Sequence, residues 1–488
     1  MKSGAPRFPP QESALGIVRR RVVLAALCCG ALLVLLDITI ANAALPSLQA
    51  HFRFTRTELV WVINAFMLPF GGCLLLGGRL GDLLGPRKLW LAGMVLFTIG
   101  ALVCSVSASK MVFLAARAVQ GMSGAVAISV SLPLMISMCP PGAKCDRVVG
   151  IYAVTAACSG ALGIVLGGVL VGAFDWRWLF LFKLPVATAL CVLCLWLLPA
   201  ERSKAAGPVD VWGAVTVTVA LILAVHVTVS ASTVGWMSTQ TLTGLSVVVM
   251  LLLLFWGIER LVACPMVPPG TFRLRNLALA NVVGVLWAAG VSIWFFVAPQ
   301  YMQSMLGFQP MRAGVAFLPA AIATAAFAAG PASRAAARRG PAWTLVGGLF
   351  AVAAGLALFS FASVDGRFVS DVLPSMVLIS IGNALAFPPL LHAAMKDVVA
   401  ADPGLGSGLV NTSTLLGGAV GLAGLVGISV ARADRLLEIG VPPAVAAMGG
   451  YRTALIAGSL CVGLALIAAI ALVWPRAIRP IDLPIQVG

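Results

Sequence analysis

Apolar stretches of 18 to 27 residues recur along nearly the whole chain, separated by short polar breaks that carry Gly and Pro. A bilayer core is ~30 Å thick and takes about 20 residues of helix to cross. Inside it every backbone N–H and C=O must be satisfied within the protein, so only helices and closed barrels span it, and unbroken apolar runs of this length select helices. Fourteen spans are predicted, at 22–45, 57–78, 89–107, 111–136, 148–173, 177–199, 210–231, 241–262, 277–302, 312–332, 342–363, 370–394, 405–431 and 451–474. The expected fold class is an all-α membrane protein. With 61% hydrophobic and 10% charged residues, the chain could not cover itself with a water-wetted surface. The first run follows Arg19-Arg20-Arg21 and is too long for the core of a cleaved signal, so it is expected to stay as a spanning helix.

Charge sets the expected orientation. Of the 32 Lys and Arg, with those at span ends counted on the side they adjoin, 21 fall on the same side as both termini, 9 on the opposite side, and Arg117 and Lys183 deeper within spans. Positive residues favour the cytoplasmic side, which places both termini there. The net charge of +16 therefore reflects loop bias and a negatively charged inner leaflet, and no nucleic-acid partner is needed.

Known chemistries are mostly excluded. The sequence has no G-x-S-x-G and no H-E-x-x-H, so no enzyme is expected. Without a G-x-x-x-x-G-K-[ST] loop, energy must come from an ion gradient. His51, His226 and His392 are scattered, so neither metal nor cofactor is expected, and a mid-span His226 reads as a hydrogen-bonded structural His. Cys139 and Cys145 fall in a reducing inner loop, and Cys191 and Cys194 form a C-x-x-C in an apolar helix that reads as structural.

The residue that most resists this apolar setting is Asp37. A carboxylate near mid-membrane costs roughly 2.5 to 3.5 kcal/mol on insertion scales and marks proton or cation handling, or a structural hydrogen bond between helices. Arg117 sits six residues into the fourth span, where it needs an anion, a carbonyl or water.

The chain also echoes itself. Gly77 to Pro86 aligns with Ala332 to Pro341 when Gly85-Pro86 is laid on Gly340-Pro341; Arg79 then meets Arg334, Gly93 meets Gly348, and Asp82 has become Ala337. This implies two duplicated six-helix halves, residues 22–199 and 277–474, with two inserted helices at 209–262 and tails at 1–21 and 475–488. Residues 431–438 are expected to form at most a short surface helix within the non-spanning stretch around Arg432 to Gly450.

Four motifs resemble the major facilitator superfamily and, within it, the fourteen-helix drug:proton antiporters. Leu36-Asp37-Ile38-Thr39-Ile40-Ala41-Asn42-Ala43-Ala44-Leu45-Pro46 is similar to that branch's first-helix motif. Gly78-Arg79-Leu80-Gly81-Asp82-Leu83-Leu84-Gly85-Pro86-Arg87-Lys88 resembles the superfamily loop signature, read as a turn opened by Gly81 and Gly85, and Leu114 to Gly124 resembles the fourth-helix motif. In helix 5, Gly163, Gly167, Gly168 and Gly172 resemble the antiporter motif, except that the family's Pro is Ile164 here, which removes a kink.

The resemblance implies a monomeric antiporter of the plasma membrane that exports a small amphipathic drug or antibiotic in exchange for protons, giving resistance or self-protection to a producer. Transport of an endogenous metabolite, in either direction, and a sensor on the same fold are the alternatives. Asp37 and Arg117 would couple protons, with Asp37 loaded from outside and emptied as substrate is captured. Gly78, Arg79, Asp82, Gly85, Arg87, Lys88, Gly163, Gly167 and Gly168 would serve gating, with Asp82 bracing the start of helix 13 near Gly404 to Ser407. Asn42, Gln120, Asn281, Trp287, Trp294 and Asn383 would line a midplane cavity. Lys183 replaces the family's usual Asn about 10 Å below the outer surface, near the depth of Asp37. It could pair with a carboxylate or attract an anion, but a peripheral sixth helix favours snorkelling.

Overall fold

The computed structural model describes residues 14–55, 57–138, 143–198, 210–235, 237–262, 274–328, 330–395 and 403–473. The terminal tails and the 199–209 and 263–273 connections, as well as Cys139, lie outside the described residues. The helices are α1 Ala14–Ile40, α2 Leu45–Phe52, α3 Val60–Leu84, α4 Pro86–Val106, α5 Lys110–Ser137, α6 Ala143–Ala173, α7 Trp178–Leu181, α8 Lys183–Leu197, α9 Val211–Val234 and α10 Thr239–Leu261. They continue as α11 Arg275–Ser304, α12 Pro310–Val315, α13 Leu318–Ala328, α14 Pro331–Arg339, α15 Pro341–Phe359, α16 Leu373–Met395, α17 Pro403–Glu438 and α18 Pro443–Val473. No strand occurs among the described residues.

Eleven helical stretches are long and apolar enough to cross a membrane, and three shorter apolar ones lie at Val60–Leu74, Cys158–Ala173 and Val215–Thr228. The chain is a multi-pass membrane protein. Leu253, Phe350, Leu460 and Ile467 on its outer surface are all at least half exposed, as helices facing lipid rather than water require.

α1 to α8 pack among themselves and α11 to α18 do likewise. The Gly-Pro echo is structural: Gly85 (φ 89°) and Gly340 (φ 87°) both take the left-handed conformation that Gly tolerates, and in each case Pro86 or Pro341 starts the next helix at a position that needs no N–H donor. The parallel extends about two turns onward. A Cβ on Gly93 would meet Ser123 O at 2.9 Å, and one on Gly348 would meet Gly382 O at 2.8 Å, so each glycine lets its helix lie directly on the next.

Several expectations need correction. The 78–88 signature is not a loop: α3 stays helical to Leu84, Gly81 packs inside against Val130, and the bend is at Gly85 alone. The 431–450 stretch is not a surface excursion either. α17 continues to Glu438, the chain turns at Gly440 (φ 82°), and α18 starts at Pro443, so the polar Arg432–Glu438 extends α17 and the apolar Pro443–Gly450 opens α18. The tenth span is broken into α12, α13 and α14 rather than continuous. The inserted α9 contacts both α3 and α17, with Thr218 against Gly72 and Thr228 against Gly424, whereas α10 packs on α9. His226 is exposed on α9, its ring 6.4 Å from Trp61, rather than held in a buried hydrogen-bonded niche.

Candidate functional site

Two helix discontinuities bring three ions together. α1 ends at Ile40 and tightens into a 3-10 turn at Ala41–Ala44, ahead of Pro46 in the first turn of α2. Three residues before that change sits Asp37, which is wholly buried. On the other side, Pro185 can give no N–H to the carbonyl four residues back, and the helix breaks between α7 and α8 at Phe182, which places Lys183 on the first residue of α8. Arg117 arrives from α5, which can lie on α3 because Gly121 has no Cβ: one there would collide with Phe66 O.

Asp37, Arg117 and Lys183 are all fully buried. Lys183 Nζ donates to Asp37 Oδ1. Arg117 Nη1 lies 3.0 Å from Asp37 Oδ2, although its N–H is not aimed well enough to count as a hydrogen bond, so Oδ2 has a charge partner but no directed donor. The rest of the guanidinium is anchored: Nη2 donates to Asp37 O at 3.3 Å, Nε to Val62 O at 3.3 Å, and Nη1 to Gln120 Oε1 at 3.3 Å. Its plane lies over Phe66, 4.7 Å from the ring centroid, a favourable site for a weakly hydrated cation. Lys183 Nζ lies 4.7 Å from the Phe180 centroid and 5.6 Å from that of Phe97. Phe180 also belongs to an aromatic plug with Phe113 and Trp176, and Phe52 packs on Phe113 at 5.0 Å, which closes the cluster off at the end remote from Ala14 and Val473.

Lys183 therefore does not snorkel. The expectation of a peripheral helix fails because α8 packs on both α1 and α4, so its first residue points at Asp37 instead of lipid or water. The signal was present in the matched depths of Lys183 and Asp37, since two opposite charges at one level of an apolar bundle lower their cost by pairing.

α6 clamps this site with two faces of glycine. A Cβ on Gly163 would collide with Thr39 Oγ1 and lie 2.8 Å from Leu36 O, and one on Gly167 would lie 2.6 Å from Ile40 O, so these residues seat α6 on the stretch of α1 that bears Asp37. Thr39 Oγ1 adds a hydrogen bond to Gly160 O at 2.8 Å. The next face points the other way: Gly168 approaches Gly314 and Pro310 O of α12, and Gly172 approaches Met311. α6 runs unbroken through Ile164, as the missing Pro leads one to expect. Gln303 Nε2 donates to Ala43 O at 3.3 Å, a second link between the two helix groups at the same end.

The remaining predicted site residues do not form one patch. Gln120 belongs to the ion cluster, where its Oε1 also accepts from the Cys104 thiol at 3.4 Å. Asn42 and Trp294 are buried, and neither Asn42 Oδ1 nor Trp294 Nε1 has a hydrogen-bond partner. Trp287 Nε1 donates to Asn383 Oδ1 at 3.1 Å, and Asn281 Oδ1 accepts from Ser413 at 2.6 Å. Gly78 faces open space, Lys88 is exposed, and Arg87 Nη2 donates to Leu195 O at 2.5 Å. The side chains of Arg79, Asp82 and Ser407 lie outside the described ones, and the proposed brace between Asp82 and helix 13 lies there with them.

A family model described as Major Facilitator Superfamily matches residues 27–422. The chain is 31% identical over 477 residues to the puromycin resistance protein pur8 of Streptomyces alboniger, an alignment covering 97% of this chain and 93% of that protein. It is 32% identical over 415 residues to the cephamycin export protein CmcT of Amycolatopsis lactamdurans, covering 82% and 83% respectively. Among solved structures, the human organic anion transporter MFSD10 superposes with a TM-score of 0.62 at 17% identity, over 95% of this chain and 100% of that one, which is a likeness of fold.

Proposed function

The chain belongs to the Major Facilitator Superfamily, and from that premise we propose that it exports an amphipathic drug or antibiotic across the plasma membrane in exchange for protons. It is a transporter and not an enzyme. Relatives named for puromycin resistance and cephamycin export support antibiotic efflux as its task. The observation that carries the coupling is the buried Asp37–Arg117–Lys183 cluster. A site whose charge changes by one proton has two electrostatic states with different preferred partners, and α6 ties that site on one face and the opposite helix group on the other.

In this reading fourteen helices form two six-helix halves plus the inserted α9 and α10, with both termini cytoplasmic, and a single chain is the working unit. The contacts of α6 with α12 and of Gln303 with Ala43 then hold the outer end shut. One net charge crossing ~150 mV carries about 3.5 kcal/mol, enough for a gradient of a few hundredfold. The test is uphill drug movement in reconstituted vesicles with an imposed pH gradient, using a panel of puromycin, macrolides, β-lactams, polyketides and cationic dyes. Accumulation that collapses with the proton gradient supports the proposal, and accumulation indifferent to the gradient refutes it.

A further inference from the structure

We propose that the proton exchanged during transport is carried by Lys183, with Asp37 and Arg117 forming the fixed ion pair that holds it. This rests on the proton-coupled reading above and names the atom, Lys183 Nζ, where the proton sits.

Charge bookkeeping in a dry site carries the argument. As built, the cluster holds one anion and two cations, all wholly buried. A single proton can change it in two ways. Adding one to Asp37 removes the only anion, leaving Arg117 and Lys183 as two buried cations beside the same neutral carboxyl. Removing one from Lys183 leaves a neutral amine and an intact Asp37–Arg117 pair, so the site becomes electrically neutral. An unpaired buried charge is the costliest state available to such a cluster, and the first route creates two of them while the second creates none. Arg117 cannot take Lys183's part, because a guanidinium keeps its proton in proteins, whereas a buried ammonium can lose one.

The anchoring is as unequal as the charge. Arg117 is tied to α1, α3 and α5 through Asp37, Val62 O and Gln120. Lys183 holds one carboxylate oxygen and otherwise meets rings. The titratable and charged groups facing it from the packed helices are Asp37 on α1, Arg117 on α5 and the Cys104 thiol on α4, the last engaged with Gln120. Of these, only Asp37 is an acid that could hold the ammonium. The Phe180 face favours the ammonium by cation–π attraction and tolerates the amine as an apolar neighbour. In the step itself one N–H bond of Lys183 breaks, the electron pair stays on Nζ, and the proton passes to water on the side to which the site is open. Return from the other side reverses it.

The experiment reads the protonation state directly. Purified protein with 15N-labelled lysine is titrated by NMR, with Lys183→Gln and Lys183→Arg used to assign the signal, and infrared difference spectra between high and low pH report any protonated carboxyl. The expected result is one lysine signal that changes from ammonium to amine over the pH range in which transport occurs, with no carboxyl band that Asp37→Asn removes. A Lys183 that stays ammonium throughout, or a protonated-carboxyl band lost in Asp37→Asn, would overturn the proposal. In vesicles with puromycin as probe, both Lys183 variants should lower the ratio of uphill to downhill rates by at least about tenfold and flatten its pH profile. Lys183→Arg retaining gradient-driven accumulation would equally defeat it. A wild-type protein whose Lys183 titrates but which builds no uphill gradient would refute the exporter reading and leave the proton's assignment standing.

Discussion

The two helix groups share a backbone plan and differ in where they place charge. Both turn at a left-handed Gly followed by Pro, and both lay the next helix on its neighbour at the equivalent glycine, Gly93 or Gly348. Yet α1 to α8 bury Asp37, Arg117 and Lys183, whereas among the described residues of α11 to α18 the buried polar side chains are neutral: Thr324, Thr344, Ser360, Ser375, Ser380, Thr412 and Ser429. Polar pairs between helices of the second group are Trp287 with Asn383 and Asn281 with Ser413. The lesson is a division of labour. On the proposed function, one group would hold the coupled charge and the other would offer aromatic and amide surface to an organic solute.

The sharpest way to break this comparison is to remove the anion. Asp37→Asn strands Arg117 and Lys183 together, and removing one partner of a buried pair costs about 3 to 5 kcal/mol. Gradient-driven export should fall to background, accompanied by a marked loss of thermal stability in detergent. Uphill transport retained in vesicles by a properly inserted Asp37→Asn protein would show that the first group's charge is not the coupling device.

A second prediction separates packing within a group from packing between groups. Gly163→Ala sets a methyl against Thr39 Oγ1 and Leu36 O, next to Asp37, so it should lower stability and transport together, on the order of 1 to 3 kcal/mol for overpacking. Gly168→Ala sets its methyl 2.5 Å from Gly314 Cα and Pro310 O across the group boundary. It should pry that end open with less effect on melting. Thiol labelling of a cysteine introduced at Met311 should speed up in Gly168→Ala and not in Gly163→Ala; equal labelling would mean that the two glycine faces do not act separately.

How much of this was legible beforehand follows from which physical signal each feature leaves. Hydropathy marks apolar helices, so the spans were readable, but it is blind to the polar extension Arg432–Glu438, which is helical without being apolar; Pro443–Gly450 is apolar and forms the first turns of the last helix, ahead of the start expected at 451. Asp37 and Arg117 announced themselves as ions at depth. Lys183 stood at the same depth, but its pairing depended on how α8 leans on α1 and α4, a tertiary fact that no local pattern encodes. Gly81 was misread because Gly in a signature suggests a turn, while here it serves close packing against Val130 within a helix. The amide and aromatic residues of the second group were individually visible, but their pairing across helices was not.

A third prediction tests the neutral side. Trp287→Phe keeps the stack on Phe387, at 5.9 Å between centroids, and deletes the hydrogen bond to Asn383. A neutral hydrogen bond is worth about 0.5 to 1.5 kcal/mol, so apparent drug affinity should shift by only about two- to tenfold, unequally across the panel, with the proton dependence untouched. A change in proton dependence would show that coupling is spread over both groups.

The smallest expected effect concerns substrate charge. A dication entering an apolar cavity needs a second buried carboxylate to hold its second charge. The second group supplies none at depth among its described residues: Asp365 lies in the 360–367 connection and Asp371 in the short π-helical turn Phe368–Val372 that precedes α16, where its Oδ1 accepts from Ser370 at 2.6 Å. The first group does not make up the lack, since Asp37, the buried carboxylate among its described residues, already serves two cations and the cluster carries a net positive charge whenever Lys183 is protonated. Matched mono- and dicationic dyes should therefore leave at similar rates, or the dication more slowly, and loss of the Lys183 proton should narrow the gap as pH rises. Paired efflux measurements at two pH values check both points. Clearly faster export of the dication would locate a second anionic site, and with it a flaw in the contrast between a charged half and a neutral one.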